Sequence, residues 1–101
     1  MAVEPVVVLV ERDIEDLIPL FLAQRRADQA VIAAALALSD FDAIRKVAHG
    51  MVGAGASYGF THVSALGERL LEAACACDAA ALARVQREFE DYLARLVVKY
   101  R

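Results

Sequence analysis

Apolar residues recur at three- and four-residue intervals over most of this chain, the spacing that lines one side of an α-helix. One early stretch departs from it: Val6-Val7-Val8-Leu9-Val10 is a β-branched apolar run, expected to be extended and packed on the edge of a helical body. Ile14, Leu17, Ile18 and Phe21 then share a helical face, with Asp13 placed to cap its first turn. Pro19 removes a backbone donor there, which predicts a kink or a short first helix leading into a longer second one. That second segment runs to about Leu38, its stripe renewed by Ile32, Ala35 and Leu36. Ser39-Asp40-Phe41-Asp42 reads as a turn and N-cap, since Ser39 or Asp40 can accept from the first free N–H groups.

A third helix follows to about Ser57, with Ile44, Ala48, Met51 and Gly55 within about 60° of one another on its buried face. Tyr58-Gly59-Phe60 breaks it. Thr61 opens a fourth helix whose inner face carries Val63, Leu66, Leu70, Ala73 and Cys77. Asp78 caps the last helix, where Leu82, Val85, Phe89, Leu93, Leu96 and Tyr100 form the clearest stripe in the chain. Short connections make consecutive helices antiparallel. The expected architecture is all-α: an up-and-down antiparallel four-helix bundle with a short N-terminal extended or kinked helical segment. It forms a single domain over residues 1–101, with the core bundle at about 12–99.

Composition removes several function classes. The chain has 101 residues, enough for one compact core, and its 59% hydrophobic content is largely alanine. No run approaches the roughly 18–20 continuous apolar residues of a membrane span. The N-terminal apolar run lacks a basic leader and a convincing cleavage site, so a cytoplasmic domain is expected. A formal charge of −3 provides no general attraction to nucleic acid or anionic lipid. Cys75 and Cys77 form no zinc or redox motif: their i, i+2 spacing turns the side chains roughly 200° apart on a helix, and no second pair exists. Cys77 reads as core filler.

The stretch Val47-Ala48-His49-Gly50-Met51-Val52-Gly53-Ala54-Gly55-Ala56-Ser57-Tyr58-Gly59-Phe60 holds more glycine than a helix wants, at about 0.5–1 kcal/mol each relative to alanine. His49 sits roughly 110° from the centre of the buried stripe, on the flank towards solvent. Arg45 and Lys46 lie one turn before it, Val52 and Gly53 one turn after. Gly53 leaves the imidazole open from one side, and Ala56 continues the clearing. His62 lies beyond the helix break without such a clearing or basic neighbours. No spacing supports a His49–His62–Cys metal site.

From Ala48 to Phe60 these residues resemble the signature of histidine-containing phosphotransfer (HPt) domains. The resemblance extends to Leu20-Phe21-Leu22, Asp40-Phe41-Asp42, Ser64-Ala65-Leu66 and Leu71-Glu72, and so spans nearly the whole chain. It implies a helical bundle that relays phosphoryl groups between aspartates of response-regulator receiver domains. By the resemblance His49 is the phosphoryl acceptor, Gly53 keeps its approach open and Gly59 ends the active helix. The partners it implies are a receiver domain, a hybrid histidine kinase or both. No intrinsic cofactor follows, because the receiver supplies Mg²⁺ and the aspartate. The chain holds no GxxxxGK[ST] nucleotide loop, so it reads as a stoichiometric carrier and not an enzyme.

The sequence also departs from the family pattern. A lysine commonly stands three residues after the histidine, often with a polar residue immediately after it; here those positions hold Val52 and Gly50. The missing cation removes a charge-assisted contact of about 1–3 kcal/mol to a phosphoryl group. Arg45 and Lys46 are candidate substitutes. An antiparallel hairpin turning near Ser39-Asp40 brings residues around Gln29 towards His49, adding Gln29, Arg26 and Arg25 as candidate donors. Val52, Ala56 and Tyr58 are the expected partner-binding residues, offering apolar area to a receiver. An adaptor that binds a receiver or kinase with weak or no transfer is the alternative function. A helical scaffold or dimerisation domain is a third, because alanine-rich stripes suit helix pairing. One complete bundle is expected to be a monomer.

Overall fold

The computed structural model describes residues 4–101; residues 1–3, part of the single domain expected over 1–101, lie outside the described residues. The chain runs β1 (Val6–Val10), a 3-10 helix (Arg12–Leu17), α1 (Ile18–Ala37), α2 (Phe41–Tyr58), α3 (Thr61–Cys75), α4 (Ala79–Arg95) and β2 (Leu96–Tyr100). Turns of two or three residues join the α-helices, so each folds back beside its predecessor. The four-helix bundle expected from the periodicity is the fold.

The helix boundaries follow from local chemistry. The Asp40 carboxylate accepts from the Ala43 N–H at 3.1 Å and that of Asp78 from Ala81 at 3.0 Å, satisfying first-turn donors of α2 and α4. Gly59 takes a left-handed conformation (φ 81°), and the Phe60 N–H closes onto the Gly55 carbonyl at 2.8 Å. Glycine alone reaches that φ without steric cost, which is why α2 stops there. Pro19 lies in the first turn of α1, where its missing N–H costs nothing. It therefore starts the long helix, after the short 3-10 segment, and does not kink it.

Three local expectations are corrected. Asp13 caps nothing; the 3-10 helix starts after Glu11 and has no side-chain cap bond. Leu17, expected on the inner stripe, is 47% exposed because the 3-10 winding shifts its phase. Leu96 to Tyr100 is a strand and not the end of α4. Its β-branched Val97 and Val98 pair in parallel with β1, in register from Val6↔Leu96 to Val10↔Tyr100. The ladder extends through Arg101 N–H to the Val10 carbonyl and Arg12 N–H to the Arg101 carbonyl, both 3.1 Å. Inward positions alternate along both strands, and Val10 is fully buried.

The core is built from Ile32, Ile44, Met51, Phe60, Val63, Leu66, Leu70, Leu82 and Phe89, all essentially inaccessible. Its tightest seam lies between α2 and α3. A Cβ built on Gly55 would stand 2.5 Å from Ser64 Oγ and 2.7 Å from Ser64 N. One on Gly67 would stand 2.9 Å from the Ala48 carbonyl oxygen and 3.0 Å from Val52 N. Hydrogen in place of a side chain lets the two backbones approach this closely, and Ser64 Oγ fastens the seam by donating to the Val52 carbonyl at 2.8 Å. Cys77 is no core filler: α3 ends at Cys75, and Cys77 is exposed in the turn with φ 54°.

Candidate functional site

The buried face of α2 is formed by Ile44, Ala48, Met51 and Gly55, as its periodicity predicts. At 100° per residue this leaves His49 on the opposite side, where it is exposed together with Lys46, Gly50, Gly53 and Ala56. A Cβ on Gly50 or Gly53 would meet nothing within 4 Å. The flank beside the imidazole is thus bare, and no contact within the chain requires glycine there. The packing of Gly55 and Gly67 underneath holds α2 against α3 and fixes where the exposed side points.

The basic residues divide into engaged and free. Arg45 forms an ion pair with Asp42, one turn towards the start of α2. Lys46 is exposed, and among the described residues it makes no ion pair. On α1, Arg26 is exposed and Gln29 half-buried, and the Gln29 backbone carbonyl accepts from Gln86 Nε2 at 3.0 Å. Arg25 is corrected as a candidate donor. Only 5% of it is exposed; its Nε donates to Asp28 Oδ2 at 2.7 Å, and its guanidinium lies 4.9 Å from the centre of the Phe21 ring. Gln24 donates to the same carboxylate at 3.1 Å, so Arg25 and Asp28 form a closed internal pair.

The expected partner-binding residues behave differently from one another. Ala56 is exposed. Val52 and Tyr58, expected as exposed apolar contacts, are both half-buried. Val52 turns a methyl towards Gly67 of α3, filling the space that this glycine leaves. Tyr58 packs with its ring tilted against that of Phe21, 5.0 Å between centres, and lines a groove of about 330 Å³ with Leu17, Leu20, Gln24 and Ala54. Gly67 is not anticipated from the sequence, and Ser64 enters there only as part of the Ser64-Ala65-Leu66 resemblance, without its role in the seam. The available signal is a glycine in mid-helix, two turns before the end of α3.

His62 lies against a different feature, with its ring 4.7 Å from that of Tyr92 on α4. Burial raises the Tyr92 hydroxyl from its ordinary value to about 12, and among the described residues that oxygen has no hydrogen-bond partner. Nearby, the exposed Glu88 carboxylate is bonded by Arg69, which lowers its pKa. Among the described residues no three His, Cys, Asp or Glu side chains converge so as to hold a metal ion. None of the described helices is long and apolar enough to cross a membrane.

The family model of the Hpt domain matches residues 16–98, from the end of the 3-10 segment into β2. No curated protein and no solved structure matches the chain. With the match covering most of its length, the chain belongs to the Hpt domain family, whose members are phosphotransfer modules of phosphorelays.

Proposed function

We propose that this Hpt domain accepts a phosphoryl group on His49 and passes it between aspartates of receiver domains. The observation that carries the reading is the exposed imidazole beside Gly50 and Gly53, where added side chains would meet nothing of the chain itself. A partner's acidic pocket can close over such a flank and bring its phosphoaspartate in line. A neutral imidazole nitrogen then forms the P–N bond as the P–O bond to aspartate breaks, returning a free carboxylate. The reverse step onto a second receiver uses the same geometry. Mg²⁺ comes with the receiver. Lys46 is the exposed cation one turn away that can approach the transferred group, and Arg45 joins it on release from Asp42. Ala56, Tyr58 and the open edge of Val52 provide the surrounding contact area. The protein acts as a stoichiometric carrier in the cytoplasm.

A second reading rests on Val52. Its position, where the family commonly has lysine, holds an aliphatic side chain packed on α3. That favours an adaptor that engages a receiver or kinase while transferring slowly or not at all. Incubation with phosphorylated receivers of the source organism separates the two. Carrier function predicts acid-labile label on the wild-type chain and none on His49→Gln; label persisting in that variant overturns His49 as acceptor. A stable receiver complex without label on the wild type selects the adaptor.

A further inference from the structure

β1, the start of the 3-10 segment and Arg101 lie outside the residues that the Hpt family model matches, yet they border the exposed side of α2. Leu9, Glu11, Asp13 and Ile14 face the last turn of α2, from Ala56 to Gly59, across a groove of about 490 Å³. His49, Gly53 and Ser57 stand four residues apart on α2 and are all exposed, so one row of the helix leads from the imidazole to the groove. That row is about 12 Å long. A specific partner covers about 800 Å² of its target, a patch that reaches about 16 Å from its centre. A receiver seated over His49 therefore covers the groove as well.

The chemistry of the groove says which part of the receiver it takes. Leu9 is 54% exposed, and Ile14 and Tyr58 are half-buried, which gives the groove an apolar wall. Glu11 is answered by Arg101, whose Nε donates to its carboxylate at 2.9 Å. Asp13 is exposed, and among the described residues it makes no ion pair. Among the same residues the carbonyls of Ala56, Ser57 and Tyr58 accept no backbone hydrogen bond, and α2 has no basic residue in its last turn. The negative pole of the helix thus adds to the charge of Asp13. One turn to the other side of His49 stands Lys46, an exposed cation. The face runs from positive at Lys46 to negative at the groove, with His49 between. A receiver's acidic pocket belongs over the positive part, so the group that meets the groove is cationic. A lysine or arginine side chain fits it, its stem along Leu9 and Ile14 and its head at Asp13.

We propose that the groove seats a basic side chain of the partner receiver and that Asp13 is a specificity-determining residue. The inference rests on the assignment of His49 as acceptor only in placing the receiver over this face of α2. The order of charges along α2 orients the receiver. A receiver with a carboxylate at the same place is repelled, so Asp13 discriminates among receivers that share the same acidic pocket.

The test is titration of the full chain with each receiver domain of the source organism, with Kd read by calorimetry. Among receivers that bind, Asp13→Lys is expected to raise Kd about tenfold and Asp13→Asn about threefold at low salt. Both differences should shrink at about 0.5 M salt, where exposed charges are screened. Glu90→Lys makes the same change in net charge at an exposed position on α4, across the bundle, and is expected to leave Kd unchanged. Reversing the charge of one receiver lysine or arginine is expected to restore binding to Asp13→Lys. Circular dichroism checks the fold; should Asp13→Lys unfold, the neutral Asp13→Asn provides the same test. Equal Kd for the Asp13 variants and the wild type, an equal loss in Glu90→Lys, or no receiver reversal that restores binding would each overturn the proposal. Transfer is followed separately as label on His49. Absent label with the expected Kd pattern removes the carrier function and leaves the groove. Normal label with unchanged Kd in Asp13→Lys removes the groove and leaves the carrier. A chain that binds no receiver overturns both.

Discussion

Two sides of α2 use glycine for opposite reasons. On the seam with α3, Gly55 and its counterpart Gly67 occupy places where a methyl group would overlap backbone atoms. On the flank of His49, Gly50 and Gly53 face open space. The first pair is demanded by the protein's own packing. The second pair costs helix stability without return inside the chain, so its use lies in what approaches from outside. A high glycine count around a histidine is therefore not one signal but two, and only half of it concerns the site.

The comparison is broken most directly at the seam. Gly55→Ala forces a methyl against Ser64 Oγ, Ser64 N and the Phe60 carbonyl oxygen, and Gly67→Ala against α2 backbone. Each is expected to destabilise the fold by about 1–3 kcal/mol, with Gly55→Ala at the upper end, measured by urea unfolding. A neutral result at either position refutes the close-packed seam. On the flank the sign reverses. Gly53→Ala is expected to raise stability by about 0.5–1 kcal/mol while slowing phosphoryl transfer from a receiver. Unchanged transfer in that variant removes Gly53 from the proposed site.

The smallest effect is at Tyr92, remote from the transfer site, and it separates stability from function. A buried phenol whose pKa rises to about 12 stays neutral in the folded chain, whereas the unfolded chain ionises near 10. Its contribution is full below pH 10 and is lost as pH rises through about 12. Tyr92→Phe should flatten that alkaline limb of stability and leave transfer unaffected. It also removes a buried hydroxyl that has no partner among the described residues, so stability at neutral pH should hold or rise.

What was legible in the sequence was whatever a local rule decides. Asp40 and Asp78 as caps, Gly59 as the left-handed stop and the stripe of α2 each depend on neighbours within four residues. The exposure of His49 followed from the same phase. Illegible features depend on distant partners. Leu96 and Tyr100 continue the helical phase of Leu82 to Leu93, but β1, some ninety residues earlier, pairs with them instead. Arg25 reads as a candidate donor to the site, and only tertiary packing turns it inward onto Asp28. Cys77 shares a stripe with Leu70 and Ala73 on paper, yet the helix ends two residues before it. Val52 and Tyr58 lose much of their expected exposure to Gly67 and Phe21 for the same reason.

The β1–β2 ladder has a mechanical consequence. Because the strands are parallel, the entering end of β1 at Val6 and the leaving end of β2 at Tyr100 lie at opposite ends of the ladder. Tension applied between those two points loads the strands lengthwise, so all the backbone bonds between them resist together and none is peeled first. The five paired positions act as a shear clamp across the base of the bundle. Under such a pull the helices, with His49 on α2, stay unloaded until the clamp slips.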